Sequence, residues 1–369
     1  VRSVLVLGGY GAFGGRIAER LARLPDSEVI VAGRSLERAA ELAARLAKDA
    51  RAKVRHARLD GMEVRADDLK TLGVRVVINA SGPYQRQDYR LARACIAAGA
   101  HYIDLADARE FVTEIGALDA EAGAAGVLVT SGASTVPALA AAVIDEHVPL
   151  LDTLEAVTIV IAPGNSFDPG LATTQSIMGS LGRPIRTPRG SVGGALRYGW
   201  QSLQRLTIPG LGGRWLGACD TPDLDLLPLR YDGLRNVRVF AALEVGAFHL
   251  GLWGLSWVVR SGLLRNPERL AAPLLRVKHA LGFLGSDVGG MAVILEGRSR
   301  DGAPKRVDWY LVAKNGQGPY VPGTASVILA KGLLAGRLDR RGAMPCLGLF
   351  TLGEFLAEIG DLEITAGMA

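Results

Sequence analysis

Val4-Leu5-Val6-Leu7-Gly8-Gly9-Tyr10-Gly11-Ala12-Phe13-Gly14 is the stretch that decides the fold. The unbroken apolar run Val4–Leu7 is what a strand covered on both faces of a parallel sheet requires. A helix follows directly: Phe13, Ile17, Leu21 and Leu24 recur at helical spacing, while Arg16, Glu19, Arg20 and Arg23 take the other face. Between them the glycines allow a turn that side chains would forbid, and their missing Cβ atoms let a pyrophosphate approach the main chain. Gly14 is expected to permit close helix–sheet packing. The helix start presents N–H groups and a partial positive charge to phosphates. Glycine-rich turns also serve as plain connectors, but a buried strand before and an amphipathic helix after make this one a dinucleotide site. Its candidate contacts are Gly8, Gly9, Tyr10, Gly11, Ala12, Phe13 and Gly14.

Outward from this motif the alternation continues. Pro25-Asp26 closes the first helix, Val29–Ala32 reads as a second strand, and Ser35 sits at the N-cap of a helix that turns Leu36, Ala39, Leu42, Ala43 and Leu46 inward. Further strands are expected at Val54–Leu59, Val74–Asn79, Tyr102–Leu105 and Val127–Thr130, with helices through Leu91 and Cys95 and over 110–122. Regular strand–helix alternation means an α/β fold with a doubly wound, Rossmann-type parallel sheet. From about Ser131 longer loops rich in Gly and Pro appear, notably Ala162–Pro169 and 181–194, and Met291–Gly297 with Arg306–Ala313 reads as a hairpin turning at Asp301-Gly302. The second domain is therefore expected to be mixed.

The cofactor type is read after the second strand, where NAD-selective folds place an acid on the ribose. Here stand Gly33-Arg34-Ser35, a guanidinium and a hydroxyl suited to a 2′-phosphate, so the expected cofactor is NADP(H). A solvated Arg34 opening a helix is the plain alternative. Asp60, after the third strand, is placed to meet the adenine edge or to stand in an exposed loop.

The 369 residues exceed what one core usually organises. With 49% hydrophobic and 21% charged residues, nothing suggests disorder. The net charge of +5 comes from scattered arginines and not from a basic arm, so nucleic acid is not an expected partner. Cys95, Cys219 and Cys346 lie far apart without metal or disulfide spacing, and His101, His249 and His279 show no partner spacing, so no metal site is expected. Those cysteines and the absence of a signal-like start point to a cytoplasmic protein. The apolar run Val245–Val259, with Trp253 and Trp257, is shorter than the ~20 residues of a spanning helix and reads as a buried helix or a lining for a greasy substrate. Membrane contact is not expected.

Val77-Ile78-Asn79-Ala80-Ser81-Gly82-Pro83-Tyr84 resembles the turn that ends the fourth strand in the saccharopine dehydrogenase-like family. Gly99–Leu105 is similar to that family's next strand, Gly132–Pro137 to its turn into the substrate domain, and Gly342–Cys346 to its closing segment. The resemblance implies a Rossmann domain of residues 1–130 plus 324–369, into which a mixed α/β substrate and dimerisation domain of 131–323 is inserted. It also implies an active site between the two, cofactor contacts from Asn79, Ala80, Ser81, Gly82 and Pro83, and a homodimer through the second domain. After Asp104 the chain reads Leu105-Ala106-Asp107-Ala108-Arg109, without the family's Gly-Glu pair, which removes the argument for an amino-acid substrate such as saccharopine.

Hydride transfer asks the protein mainly to position substrate and supply one proton. Tyr84 is a candidate donor or a packing aromatic, and Asp104 and Asp107 are candidate acids or partners of helix ends and Arg109. Ser134, with Thr135, is a candidate for the nicotinamide amide or a loop cap. Arg183, Arg186, Arg189 and Arg197 could receive an anion or form a solvated loop. Two readings follow. One is an NADP-dependent oxidoreductase reducing a C=N, C=O or C=C bond of a small organic substrate, a hydrophobic one being compatible with the tryptophan-bearing region. The other is a non-catalytic NADP-binding sensor or scaffold.

Overall fold

The run Ser3–Leu7 forms β1 with every residue buried, and the glycine turn leads from it into α1 (Gly14–Ala22), which buries Ile17, Ala18, Leu21 and Ala22. This is a computed structural model, and it describes residues 2–85, 87–186 and 197–369. The chain continues through β2 (Glu28–Gly33), α2 (Leu36–Leu46), β3 (Lys53–Arg58), α3 (Ala66–Leu72), β4 (Val76–Asn79), α4 (Arg90–Ala98) and β5 (His101–Asp104). After α5 (Arg109–Thr113) and α6 (Asp119–Ala124) comes β6 (Leu128–Ser131). The single helix expected over 110–122 is thus two pieces joined by a tight turn at Ile115–Leu118, where Gly116 interrupts the helical run while Ile115 and Leu118 stay buried.

These strands lie in the order β6-β5-β4-β1-β2-β3 and pair in parallel throughout. The winding reverses between β1 and β4, whose ends Leu7 and Asn79 are in register. That reversal is where a doubly wound sheet opens a crevice at the carboxyl ends of its strands.

The chain divides into two compact units, Val1–Leu139 with Pro319–Glu358, and Ala140–Gly318 with Ile359–Ala369. The second unit runs through α7 (Ala140–His147), β7 (Thr153–Ala162), α8 (Gly170–Ser180), β8 (Pro184–Ile185) and β9 (Arg197–Tyr198). It continues with β10 (Gln204–Ile208), β11 (Gly212–Ala218), α9 (Asp223–Arg230), β12 (Asn236–Ala241), α10 (Gly246–Arg260), α11 (Ala271–Ala280), β13 (Gly289–Arg298) and β14 (Pro304–Ala313). Its sheet is mixed: β7 runs parallel to β12 and antiparallel to β13. The β13–β14 hairpin pairs in full register, with Gly302 at φ +81° in its turn.

After β14 the chain returns to the first unit. α12 (Val321–Leu334) lies against α1, and a Cβ on Gly323 would come within 2.7 Å of Ile17 Cγ1, so glycine sets that close approach. β15 (Gly342–Pro345) extends the parallel sheet beside β6. Glu358, at the end of α13 (Leu352–Glu358), pairs with Arg20 at 3.1 Å and Lys331 at 2.7 Å, tying three helices together. One expectation is corrected here. Residues 359–369 do not lie with the Rossmann unit, because β16 (Ile364–Met368) pairs antiparallel with the outer edge of β14. An open strand edge is a standing acceptor for a further strand, and the sequence analysis placed no strand at Ile364–Met368.

Candidate cofactor and active site

The glycine loop is built by close backbone contacts. Gly8 has φ +73°, and a Cβ on it would meet the Ala80 carbonyl oxygen at 2.9 Å. Gly9 would meet Val6 O at 2.7 Å, and the Gly11 N–H donates to Gly8 O at 2.9 Å. At Gly14 the tightest neighbour of an added Cβ is Gly8 O at 2.2 Å. Gly14 therefore lets the loop close on itself, a different reason from the helix–sheet packing expected of it. Ala12 O accepts a hydrogen bond from Arg16 Nη1 at 2.6 Å, and Phe13 O accepts the Ile17 N–H as the helix begins.

At the end of β2 the Tyr10 ring fills the space where a Gly33 side chain would stand, 2.5 Å from an added Cβ. The Tyr10 hydroxyl accepts the Ser35 N–H at 2.9 Å, and the Arg38 guanidinium lies 4.5 Å above the ring. Arg34 is exposed. Ser35 Oγ accepts the Arg38 N–H at 3.2 Å, as the N-cap of α2, and donates to Glu37 Oε2 at 2.8 Å. The corner therefore holds an acid that the sequence reading did not place there. The backbone N–H of Glu37, then Ser35 and Arg58, hold the Glu37 carboxyl below its ordinary range. Arg38 and Arg58 were also missed. The first lies one helical turn beyond Arg34, and the second is opposite Gly33 in the β2–β3 register; both were findable from spacing once the strand order was known.

Asp60 Oδ1 accepts the Met62 N–H at 3.0 Å, which makes this side chain a turn former, while the adjacent Gly61 packs against Leu7 and approaches Ser81. Asn79 is buried at the end of β4; its Oδ1 accepts the Ser81 N–H at 3.1 Å and its Nδ2 donates to the Tyr102 hydroxyl at 3.2 Å. Gln87 Nε2 donates to Ser81 O at 2.7 Å and Pro83 O at 3.1 Å, holding the turn that contains Gly82 and its cis bond to Pro83.

Tyr84 is buried, with its hydroxyl donating to Asn79 O at 2.7 Å and its ring 5.7 Å from that of Phe111. Burial, then the nearby Asp104, pushes its phenol well above the ordinary value. Asp104 is fully buried, and its Oδ1 accepts from Ser131 Oγ at 2.8 Å, Ala106 N at 2.9 Å and Gly132 N at 3.0 Å. Its Oδ2 has no hydrogen bond, although the Tyr102 hydroxyl lies close enough to oppose the shift that burial causes. Burial pushes the Asp104 carboxyl up to about 6.

Asp104 O also accepts the Ala133 N–H at 2.8 Å, so this one residue holds both sides of the 131–133 turn. Ser134 and Thr135 follow, Ser134 partly exposed and Thr135 buried. Ser134 O accepts the Leu139 N–H at 3.1 Å in the wide helical turn Thr135–Leu139. The Cys346 N–H donates to Ser131 O at 2.8 Å, which brings the C-terminal segment to the same place. Asp107 is partly exposed beyond β5. The structure thus brings together the glycine loop, the Asn79–Tyr84 turn, Asp104 and the 131–133 turn, and Tyr10 of the loop joins to it the Arg34–Ser35 corner at the end of β2.

Elsewhere, Arg183 Nη2 donates to Arg265 O at 3.2 Å, while Arg189 lies outside the described residues. His101 Nδ1 accepts the Leu128 N–H at 2.8 Å, and burial brings the ring down to about 4. His279 Nε2 lies 3.2 Å from Asp168 Oδ1. Among the described residues no cluster of three His, Cys, Asp or Glu side chains could hold a metal ion, and no helix is long and apolar enough to cross a membrane.

A doubly wound parallel sheet with this glycine loop at its reversal defines a nicotinamide dinucleotide-binding Rossmann domain. Residues 4–130 match the family described as saccharopine dehydrogenase NADP binding domain. Among solved structures the chain is similar in fold to apo histidine-tagged saccharopine dehydrogenase (L-Glu forming) from Saccharomyces cerevisiae, with TM-score 0.62 and 13% identity over 100% of this chain and 99% of that one. A meso-dapdh mutant with DAP from Clostridium tetani matches with TM-score 0.46 and 13% identity over 98% of this chain and 99% of that one. Comparison with curated proteins found no match.

Proposed function

We propose that the chain is an NADP(H)-dependent oxidoreductase that reduces a C=N, C=O or conjugated C=C bond of a small organic substrate. The observation that carries this reading is the convergence of the Asn79–Tyr84 and 131–133 turns beside the glycine loop, at the carboxyl ends of β4, β5 and β6. The residues fit the cofactor: Gly8, Gly9 and Gly14 let the loop fold tightly on its own backbone at the end of β1, and no acid stands at positions 33–35, Glu37 just beyond them being held by Ser35. Gly8 to Gly14 would hold the pyrophosphate, Arg34 and Ser35 with Arg38 the 2′-phosphate, and Asn79 to Pro83 with Ser134 the nicotinamide end. When bound, NADPH supplies the hydride.

The chain's own residues then divide the remaining work. Asp104 is a positioning residue, because its Oδ1 holds Ser131 and Gly132 and its carboxyl is sealed from solvent. Tyr84 locks the turn, its hydroxyl proton being directed at Asn79 O. Asp107 is the candidate acid that solvent reaches, and it is the one we assign to proton delivery.

Titration of the protein with NADPH and NADH tests the cofactor assignment. A charge-assisted hydrogen bond contributes about 1.5–3 kcal/mol, and about 1.4 kcal/mol is tenfold in affinity. Arg34→Ala is therefore expected to weaken NADPH roughly ten- to hundredfold and leave NADH nearly unchanged. Equal loss of both cofactors would remove Arg34 as the phosphate reader. Loss of reduced-nicotinamide absorbance with imines, ketones and enones tests the reaction; binding without oxidation across all three classes would favour a sensor or scaffold.

A further inference from the structure

We propose that the second unit docks on anionic lipid surfaces through the end of α10 and the loop that follows it. On α10, Leu250, Gly254, Trp257 and Val258 stand on one helical face. Leu250, Trp257 and Val258 are 43%, 46% and 40% exposed. The opposite face, with Leu252, Leu255 and Val259, is already used: it packs with Met178, Leu181 and Trp200. Beyond the helix, Leu263 projects from the loop at 84% exposure, with Gly262 before it at φ +82°. One exposed leucine carries nothing by itself; the surface is made by Leu250, Trp257, Val258 and Leu263 following one another along α10 and the loop after it.

Arginines flank this tip. The Arg260 guanidinium lies 5.0 Å from the Trp257 ring centre and 3.8 Å from that of Tyr198, and donates to Gln201 Oε1 at 2.8 Å. Arg183 is drawn to the same loop through its bond to Arg265 O at 3.2 Å. From Gly246 to Gly285 the chain carries Arg260, Arg265, Arg269, Arg276 and Lys278 against one acid, Glu268; Lys278 is spent on the Asn165 and Phe167 carbonyls, so Arg260, Arg265 and Arg183 supply the charge at the tip. Tryptophan and leucine beside arginine is the composition of a segment that lies in a lipid interface, with apolar groups entering the acyl boundary and cations meeting headgroups.

A second copy of the chain is the weaker occupant, because an isologous contact would set this cationic patch against itself. The run is too short to span a bilayer, which argued against membrane contact from sequence, but a segment lying on a surface needs no spanning length. The inference is independent of the proposed reaction.

Co-sedimentation of the full chain with vesicles tests it, comparing phosphatidylcholine alone with phosphatidylcholine containing phosphatidylserine. Binding is expected to the mixed vesicles, to weaken as salt is raised, and to fall by about tenfold or more in Leu263→Glu and in Arg265→Glu. Circular dichroism and the urea unfolding midpoint serve as the folding control for both variants and should stay at the wild-type values. Absence of binding to the mixed vesicles, or wild-type binding by both variants, would overturn the proposal. So would a dimer in size-exclusion chromatography that Leu263→Glu converts to monomer, since the patch would then belong to a second copy.

Discussion

Asp104→Asn separates the electrical role of this carboxyl from its structural one. The amide keeps an oxygen where Oδ1 accepts from Ala106, Ser131 and Gly132, and it removes a charge from a fully buried position. The carboxyl moves from 3.8 to about 6 on folding, and at 1.36 kcal/mol per unit its ionisation costs the folded state about 3 kcal/mol above pH 7. Because the folded pKa is raised, the folded state holds the proton more tightly. Wild-type stability therefore falls as pH rises from about 3.8 to about 6 and levels off beyond. Asp104→Asn lacks that loss. It is expected to exceed wild type by about 2–3 kcal/mol at pH 8 and by about half as much at pH 5, measured by urea unfolding at both. Asp104→Ala instead leaves buried donors without an acceptor, at about 1–3 kcal/mol each, and should be destabilised at every pH. A pH-independent difference between Asn and Asp would refute the argument from burial. A stable Asn variant that binds NADPH normally yet loses turnover a hundredfold or more would show that Asp104 moves a proton.

Two further outcomes bear on the same unit. Tyr84→Phe removes the bond to Asn79 O and is expected to cost about 1 kcal/mol in stability while leaving turnover within about twofold; a large fall in kcat at unchanged NADPH affinity would return the hydroxyl to the chemistry. Gly14→Ala brings a Cβ to 2.2 Å from Gly8 O, whereas at Gly15 the nearest atom would be 3.6 Å away. The first substitution should abolish NADPH binding and destabilise by about 1–3 kcal/mol, and the second should be neutral or stabilising by up to about 1 kcal/mol. Equal effects in thermal melts and titrations would mean that the loop is not held by that contact.

Local patterns made the first sheet, the glycine loop and the β13–β14 hairpin legible, because strand and helix periodicities and turn residues act over a few positions and leave their mark in order along the chain. The Ser35 cap was legible for the same reason. Chemistry at the site was less so. Asp104 meets Ser131 and Gly132 across β5 and β6, and Tyr84 turns back to Asn79; neither partnership has a spacing that identifies it. The Tyr10 ring reaches Gly33 and Arg38 because β1 and β2 are neighbours, and Arg58 reaches that corner through the β2–β3 register.

The sequence by itself determined the alternating strands and helices of the first 130 residues, the β13–β14 hairpin, and the glycine loop that follows β1. Only the tertiary structure decided that Asp104 is sealed and anchors a turn, that Tyr84 spends its proton on a backbone carbonyl, and that Ile364–Met368 closes the second sheet instead of the first. The physical reason is that burial and partner choice depend on strand order and register between distant segments. A local pattern records which face of an element is apolar, but not what comes to cover it.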